Sequence, residues 1–334
     1  MPLEVQHDWL SKVVEDPIDT DRRIVDPHHH FFVAGGEFPF YDLDSLWADT
    51  DTHNVKKTVY LQCWEGYRND GPEEIQCVGE TEYVHEVAQT AKDSPERAQI
   101  AGIIASCEMR LGEGVRAIMD AHSEASNLFR GIRQCAAWDA DDNVMSMPGI
   151  EDANLYDDNN FVAAAGVLSD MGLVLDTYHY HHQLPSLARL ARTYPELNIV
   201  LDHLGTPIGV ASYAGKQAEV LAQWKQNIAE VAACSNVYMK LGGLAMPWCG
   251  FGFESDPTPP SSDDIVAKQA DYYHYAIEQF TPSRCMFESN FPVDKLALSY
   301  GVLWNAFKKM AARYSAQEQD AMFYGTASQV YRLD

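Results

Sequence analysis

No stretch of this 334-residue chain reaches the run of about 20 apolar residues that a membrane-spanning helix needs, so a helical membrane protein is not expected. Basic residues are scarce. The 24 Lys and Arg stand against 49 Asp and Glu, a formal net charge of -25 that repels nucleic acid and anionic membrane surfaces and makes neither an expected partner. Cysteines are few and odd in number: seven, with no CxxC pair, form neither a disulfide framework nor a zinc ribbon. A reducing, cytoplasmic location is the expectation. Met1 to Arg23 is polar and acidic without an apolar h-region, which predicts no export signal. There is no low-complexity tract and no interdomain linker. The glycine-rich phosphate turn that opens doubly wound nucleotide-binding sheets is absent after the first strand.

What is present is a globular composition, 46% hydrophobic and 22% charged, in one large unit. Eight short runs rich in Val, Ile, Leu and Tyr suit strands buried on both faces of a parallel sheet: 24–30, 57–62, 99–106, 128–133, 173–177, 198–202, 236–241 and 285–288. Helical patterns follow them at 80–91, 114–124, 161–171, 184–194, 216–234, 265–280 and 302–314. This alternation predicts an α/β fold, a (β/α)₈ TIM barrel over 24–334, with 1–23 as an N-terminal arm packed outside it. The Pro- and Gly-rich segments 34–39 and 249–262 are expected to be βα loops over the barrel mouth.

Chemistry concentrates where barrel enzymes gather it, at the C-terminal ends of strands. The first strand ends in Asp26-Pro27-His28-His29-His30. With a period of two, His28 and His30 share one side and His29 points away. A surface run of histidines is the bland alternative. Three other strand ends also carry polar groups, in Phe129-Arg130-Gly131-Ile132-Arg133, Leu201-Asp202-His203-Leu204-Gly205 and Phe287-Glu288-Ser289-Asn290-Phe291-Pro292-Val293-Asp294.

In these motifs, together with Leu175-Asp176, His182-Gln183-Leu184 and Met239-Lys240-Leu241-Gly242-Gly243-Leu244, the chain resembles the amidohydrolase-related (amidohydrolase 2 type) TIM-barrel family. The resemblance is to the branch that includes 2-pyrone-4,6-dicarboxylate lactonase and the sugar-lactone hydrolases. The resemblance spans nearly the whole chain. It implies a hydrolase acting on a lactone or related ester or amide carbonyl, with His28, His30 and His203 polarising that carbonyl and a carboxylate after the eighth strand activating water. The same three histidines would be the ligands if a divalent metal, zinc first, is bound; a metal-free site is the other form. One departure stands out. The family's aspartate in the last motif aligns with Asn290, whose amide takes no proton from water. Asp294 is the next candidate for general base, against the alternative of a solvated loop carboxylate, and Asn290 is then expected to orient substrate or water.

Arg133 offers a fork of donors suited to a carboxylate or carbonyl, and its alternative is a pair with a strand-end acid such as Glu65. Glu65 could equally reach the site itself. His182 and Tyr178 are candidate substrate contacts, while Trp64, Trp138 and Phe251 are candidates for an apolar wall. Two other functions compete: a metal-dependent decarboxylase of an aromatic acid, and a ligand-binding barrel without chemistry. In each case the partner is a small molecule. A homo-oligomer is compatible with the sequence, which does not specify one.

Overall fold

The computed structural model describes residues 3–334. Eight parallel strands, β1 (Ile24–His29), β2 (Val55–Leu61), β3 (Gln99–Ala105), β4 (Phe129–Cys135), β5 (Val174–Tyr178), β6 (Ile199–Leu201), β7 (Val237–Leu241) and β8 (Cys285–Phe287), pair in chain order. The fold is a (β/α)₈ barrel. Its last seam is closed by the segment after β8: Asn290 N donates to His28 O at 3.1 Å and His30 N to Phe291 O at 2.9 Å. A buried carboxylate reinforces that seam, since Asp26 accepts from Ser289 N and from Tyr300 Oη, each at 2.9 Å.

The expected helices form, at Val78–Ala91, Val115–Ala125, Asn159–Asp170, Leu184–Thr193, Gln217–Ala232, Ser262–Phe280 and Tyr300–Ala311. A further helix, Leu43–Thr50, lies between β1 and β2, with Asp42 capping Ser45 N at 2.9 Å. It is too short to show a clear apolar period in the sequence. Among the described residues no helix is long and apolar enough to cross a membrane. The N-terminal residues lie along the helix Tyr300–Ala311, where Lys308 Nζ donates to Ile18 O at 2.7 Å and Asn305 to Asp16 O at 2.9 Å.

Alternation along the strands stacks three layers inside the barrel. Val25, Val59, Ile104, Val174, Val200 and Met286 form an apolar floor, closed from below by Val330, Tyr331 and Leu333 of the C-terminal segment. Two residues further along, the inward positions become charged: Arg133, Asp176, Asp202, Lys240 and Glu288, all buried. Above them the strands end in histidines and the open mouth. Tyr331 joins floor to charge, donating its hydroxyl to Asp176 at 2.7 Å.

Candidate active site

The charged layer is internally compensated, as burial requires. Lys240 Nζ lies 2.7 Å from Asp176, 2.9 Å from Asp202 and 3.3 Å from His28 Nδ1, with no solvent exposure. Arg133 stands 3.2 Å from the other Asp202 oxygen and donates to Gln62 O at 2.7 Å. Burial opposes ionisation of Asp202, yet Lys240 and Arg133 hold it below the usual carboxylate range. Asp176, dominated by burial, is pushed up to about 6.

Glu288 ties this layer to the histidines. Its Oε1 accepts from His203 Nδ1 at 2.7 Å and from His203 N at 3.0 Å, and its Oε2 lies 2.8 Å from His28 Nδ1. Burial alone would raise Glu288, but the two imidazoles aimed at it hold it well below the carboxylate range. An ionised carboxylate only accepts, so His203 carries its proton on Nδ1 and presents a bare Nε2. His30 does likewise, because its Nδ1 donates to the carbonyl of Leu61 at 2.8 Å. Burial, the largest effect, keeps His28 and His30 neutral, helped by Lys240 and Arg133 respectively.

The backbone permits this clustering only through unusual local conformation. His203, Leu204 and Thr206 all lie in the left-handed region, at φ 54°, 55° and 41°, which turns the end of β6 sharply over the barrel mouth. Gly242 and Gly243 at the end of β7 leave room for it. A Cβ on Gly243 would come within 2.4 Å of His203 Nδ1, and one on Gly242 within 2.3 Å of Glu288 O.

Not every residue expected at the site reaches it. His28, His30, His203 and Arg133 converge: His28 Nε2 is 3.2 Å from His30 Nε2 and 3.3 Å from Arg133 Nη1, and the His28 and His203 rings are 4.5 Å apart. Asn290 and Tyr178 line the cleft above them, Tyr178 with a hydroxyl that has no protein partner. Asp294 stands behind Asn290, accepting its amide at 2.9 Å and Ala245 N at 3.3 Å; it is fully buried, and burial pushes it up to about 7. Glu65 does not pair with Arg133, whose acid is Asp202; it accepts from Val33 N at 3.3 Å. His182 bonds to Trp138 O at 3.1 Å, outside the cleft. His29 points away from the histidine cluster, between Phe31 and Tyr60. Glu288 and Lys240, which organise the centre, went unassigned in the sequence, although a lysine inside the apolar strand Val237–Leu241 must be paired somewhere.

The donor set fits a divalent cation. His28 Nε2 and His30 Nε2 stand 3.2 Å apart, about the separation of two nitrogens on one zinc. One donor atom each from His28, Asp202 and His203 also lie within 4.8 Å of one another. Arg133 occupies one side of this point, so a bound metal shares it with the guanidinium.

Residues 25–333 match the family described as Amidohydrolase. The chain is similar to an uncharacterized protein of Sinorhizobium fredii, y4mH, at 28% identity over 335 residues, covering 94% of this chain and 100% of that one. It is similar to L-fucono-1,5-lactonase of Burkholderia ambifaria, at 26% over 329 residues, covering 93% and 96%. Two crystal structures of an amidohydrolase from Burkholderia multivorans, one with bound HEPES and one with bound zinc, share its fold. Their TM-scores are 0.71 and 0.69 at 23% and 24% identity, each covering 93% of this chain and 99% of the other.

Proposed function

This chain belongs to the amidohydrolase family of hydrolases, and we propose that the bond it breaks is the acyl–oxygen bond of a lactone or closely related ester. The observation that carries this reading is Glu288, which fixes the proton of His203 on Nδ1 and leaves its Nε2 bare in the cleft that Arg133 also lines.

Water entering the cleft is held by His203 Nε2, which takes its proton as hydroxide adds to the carbonyl carbon. Glu288 is a positioning residue: it fixes the tautomer and steadies the imidazolium that forms. The oxyanion develops beside Arg133, whose charge is held by buried Asp202 and needs no rearrangement at that moment. Collapse of the tetrahedral intermediate expels the ring oxygen, and the proton on His203 passes to it. Asn290, its amide pinned by Asp294, orients the substrate through its remaining oxygen. A divalent cation would be held by His28 and His30 with Asp202 close by, and would supply Lewis-acid polarisation of the carbonyl while leaving His203 Nε2 free as the base.

The test is elemental analysis of the purified protein together with pH-stat hydrolysis of a lactone and ester panel. Turnover of at least one lactone, abolished in His203→Gln while the fold persists, is expected. A folded protein that turns over no lactone or ester, with or without added zinc, refutes the reading.

A further inference from the structure

Resting on the lactonase reading, we propose that the substrate has an apolar body: an aryl- or alkyl-substituted lactone with at most one anionic group, and not a polyhydroxylated sugar lactone or a dicarboxylate. The cleft above the histidines has a polar floor and apolar walls. Phe32, Phe38, Trp64, Met147, Met246 and Trp248 form those walls, and among the described residues no Asp, Glu, Lys, Ser or Thr lines the cleft.

A sugar lactone carries hydroxyls around its ring, and each is a donor and an acceptor that must find a partner once water is removed. Beyond Asn290, which orients the reacting group, the walls offer two partners, the Tyr178 hydroxyl and the Trp248 Nε1 donor, both without protein partners. Every further hydroxyl buried without a partner weakens binding about tenfold. A dicarboxylate fares no better. Arg133 is the single Lys or Arg in the lining, Asp202 already stands 3.2 Å from it, and only its Nε lacks a partner. The neighbouring cleft, which shares Trp64, Arg133 and Met147, is rimmed by Glu73, Glu74 and Glu108, which repel a second negative group. Flexible Met147 and Met246 adapt to ring substituents of different shape, so the preference is for apolarity more than for one outline.

The probes are dihydrocoumarin and γ-nonalactone against D-glucono-1,5-lactone and 2-pyrone-4,6-dicarboxylate, with kcat/KM measured on the purified full chain. Calorimetry with the lactams of dihydrocoumarin and of gluconolactone reads binding without turnover. The first two lactones are expected to exceed the others by about 100-fold, the combined effect of two unpartnered polar groups at about tenfold each. Trp248→Ala should raise KM for dihydrocoumarin about 10-fold, and Trp248→Phe, which keeps an aromatic face, should recover most of it. Preference for the sugar lactone, the dicarboxylate or the hydroxylated lactam overturns the apolar class and leaves the lactonase reading intact. Binding of the apolar lactam with no lactone turned over overturns the lactonase reading and supports the apolar class. Neither binding nor turnover overturns both.

Discussion

Lys240 is the hinge of the charged layer, and Lys240→Met tests whether that layer is compensated as its distances suggest. Methionine keeps most of the apolar stem and deletes the ammonium that now sits 2.7 Å from Asp176 and 2.9 Å from Asp202. Removing one partner of a buried ion pair costs about 3 to 5 kcal/mol, because the other charge is left without compensation. Unfolding entropy scales at about 2.1 cal/mol/K per residue, so for a chain of this length the loss corresponds to a Tm lower by roughly 4 to 7 °C. The sign of the pH dependence follows from Asp176. Burial already raises it to about 6, and without Lys240 it rises further. The folded variant therefore keeps a proton there that the unfolded chain has released, and its stability falls as pH rises through that folded pKa. Urea denaturation at pH 5.5, 7 and 8.5 reads this directly. The deficit should be smallest at the lowest pH and largest at the highest. A loss under about 1 kcal/mol at pH 8.5, or one that does not change with pH, would refute the reasoning.

Two further substitutions separate roles within the site. Glu288→Gln removes the acceptor that fixes His203 and should lower kcat on the productive lactone by about 10²- to 10⁴-fold while KM changes little; an unchanged kcat would remove the His203–Glu288 pair from proton transfer. Arg133→Ala should lower kcat more than it raises KM, since the oxyanion develops beside the guanidinium, and steady-state kinetics showing a rise in KM at constant kcat would assign it to substrate recognition instead.

How much of this could be read from the sequence depends on what each residue's neighbours reveal. The strands were legible because runs such as Ile199–Leu201 and Cys285–Phe287 are apolar on both faces, and parallel strands buried on both faces leave that mark. The histidine pair was legible because alternation needs only three consecutive residues. Arg133's partner was not, since choosing Asp202 over Glu65 requires knowing that β4 and β6 aim across the barrel while the loop after β2 bends outward. Glu288 lay inside a quoted motif, yet its duty to two histidines at once depends on the left-handed turn at His203, which no local pattern announces.

The position where the chain departs from its family's pattern carries the sharpest remaining test. Asn290 Nδ2 donates to Asp294 at 2.9 Å, so in Asn290→Asp a carboxylate oxygen replaces a donor against an existing carboxylate. From the motif alone, restoring the anion looks harmless. With Asp294 fully buried and already raised to about 7, two acids in contact cannot both ionise, and the pair must hold one proton well above neutral pH. The folded pKa is raised, so the variant keeps its stability at low pH and loses it as pH rises through the pair's upper pKa. Between pH 6 and pH 9 the difference in unfolding free energy from the parent should grow by at least about 1.4 kcal/mol, one pKa unit. Zinc, if the cluster binds it, should reduce that difference by supplying positive charge next to the new carboxylate. A variant whose stability follows the parent's across this range would mean that the two side chains separate, and that Asp294 does not govern where Asn290 points.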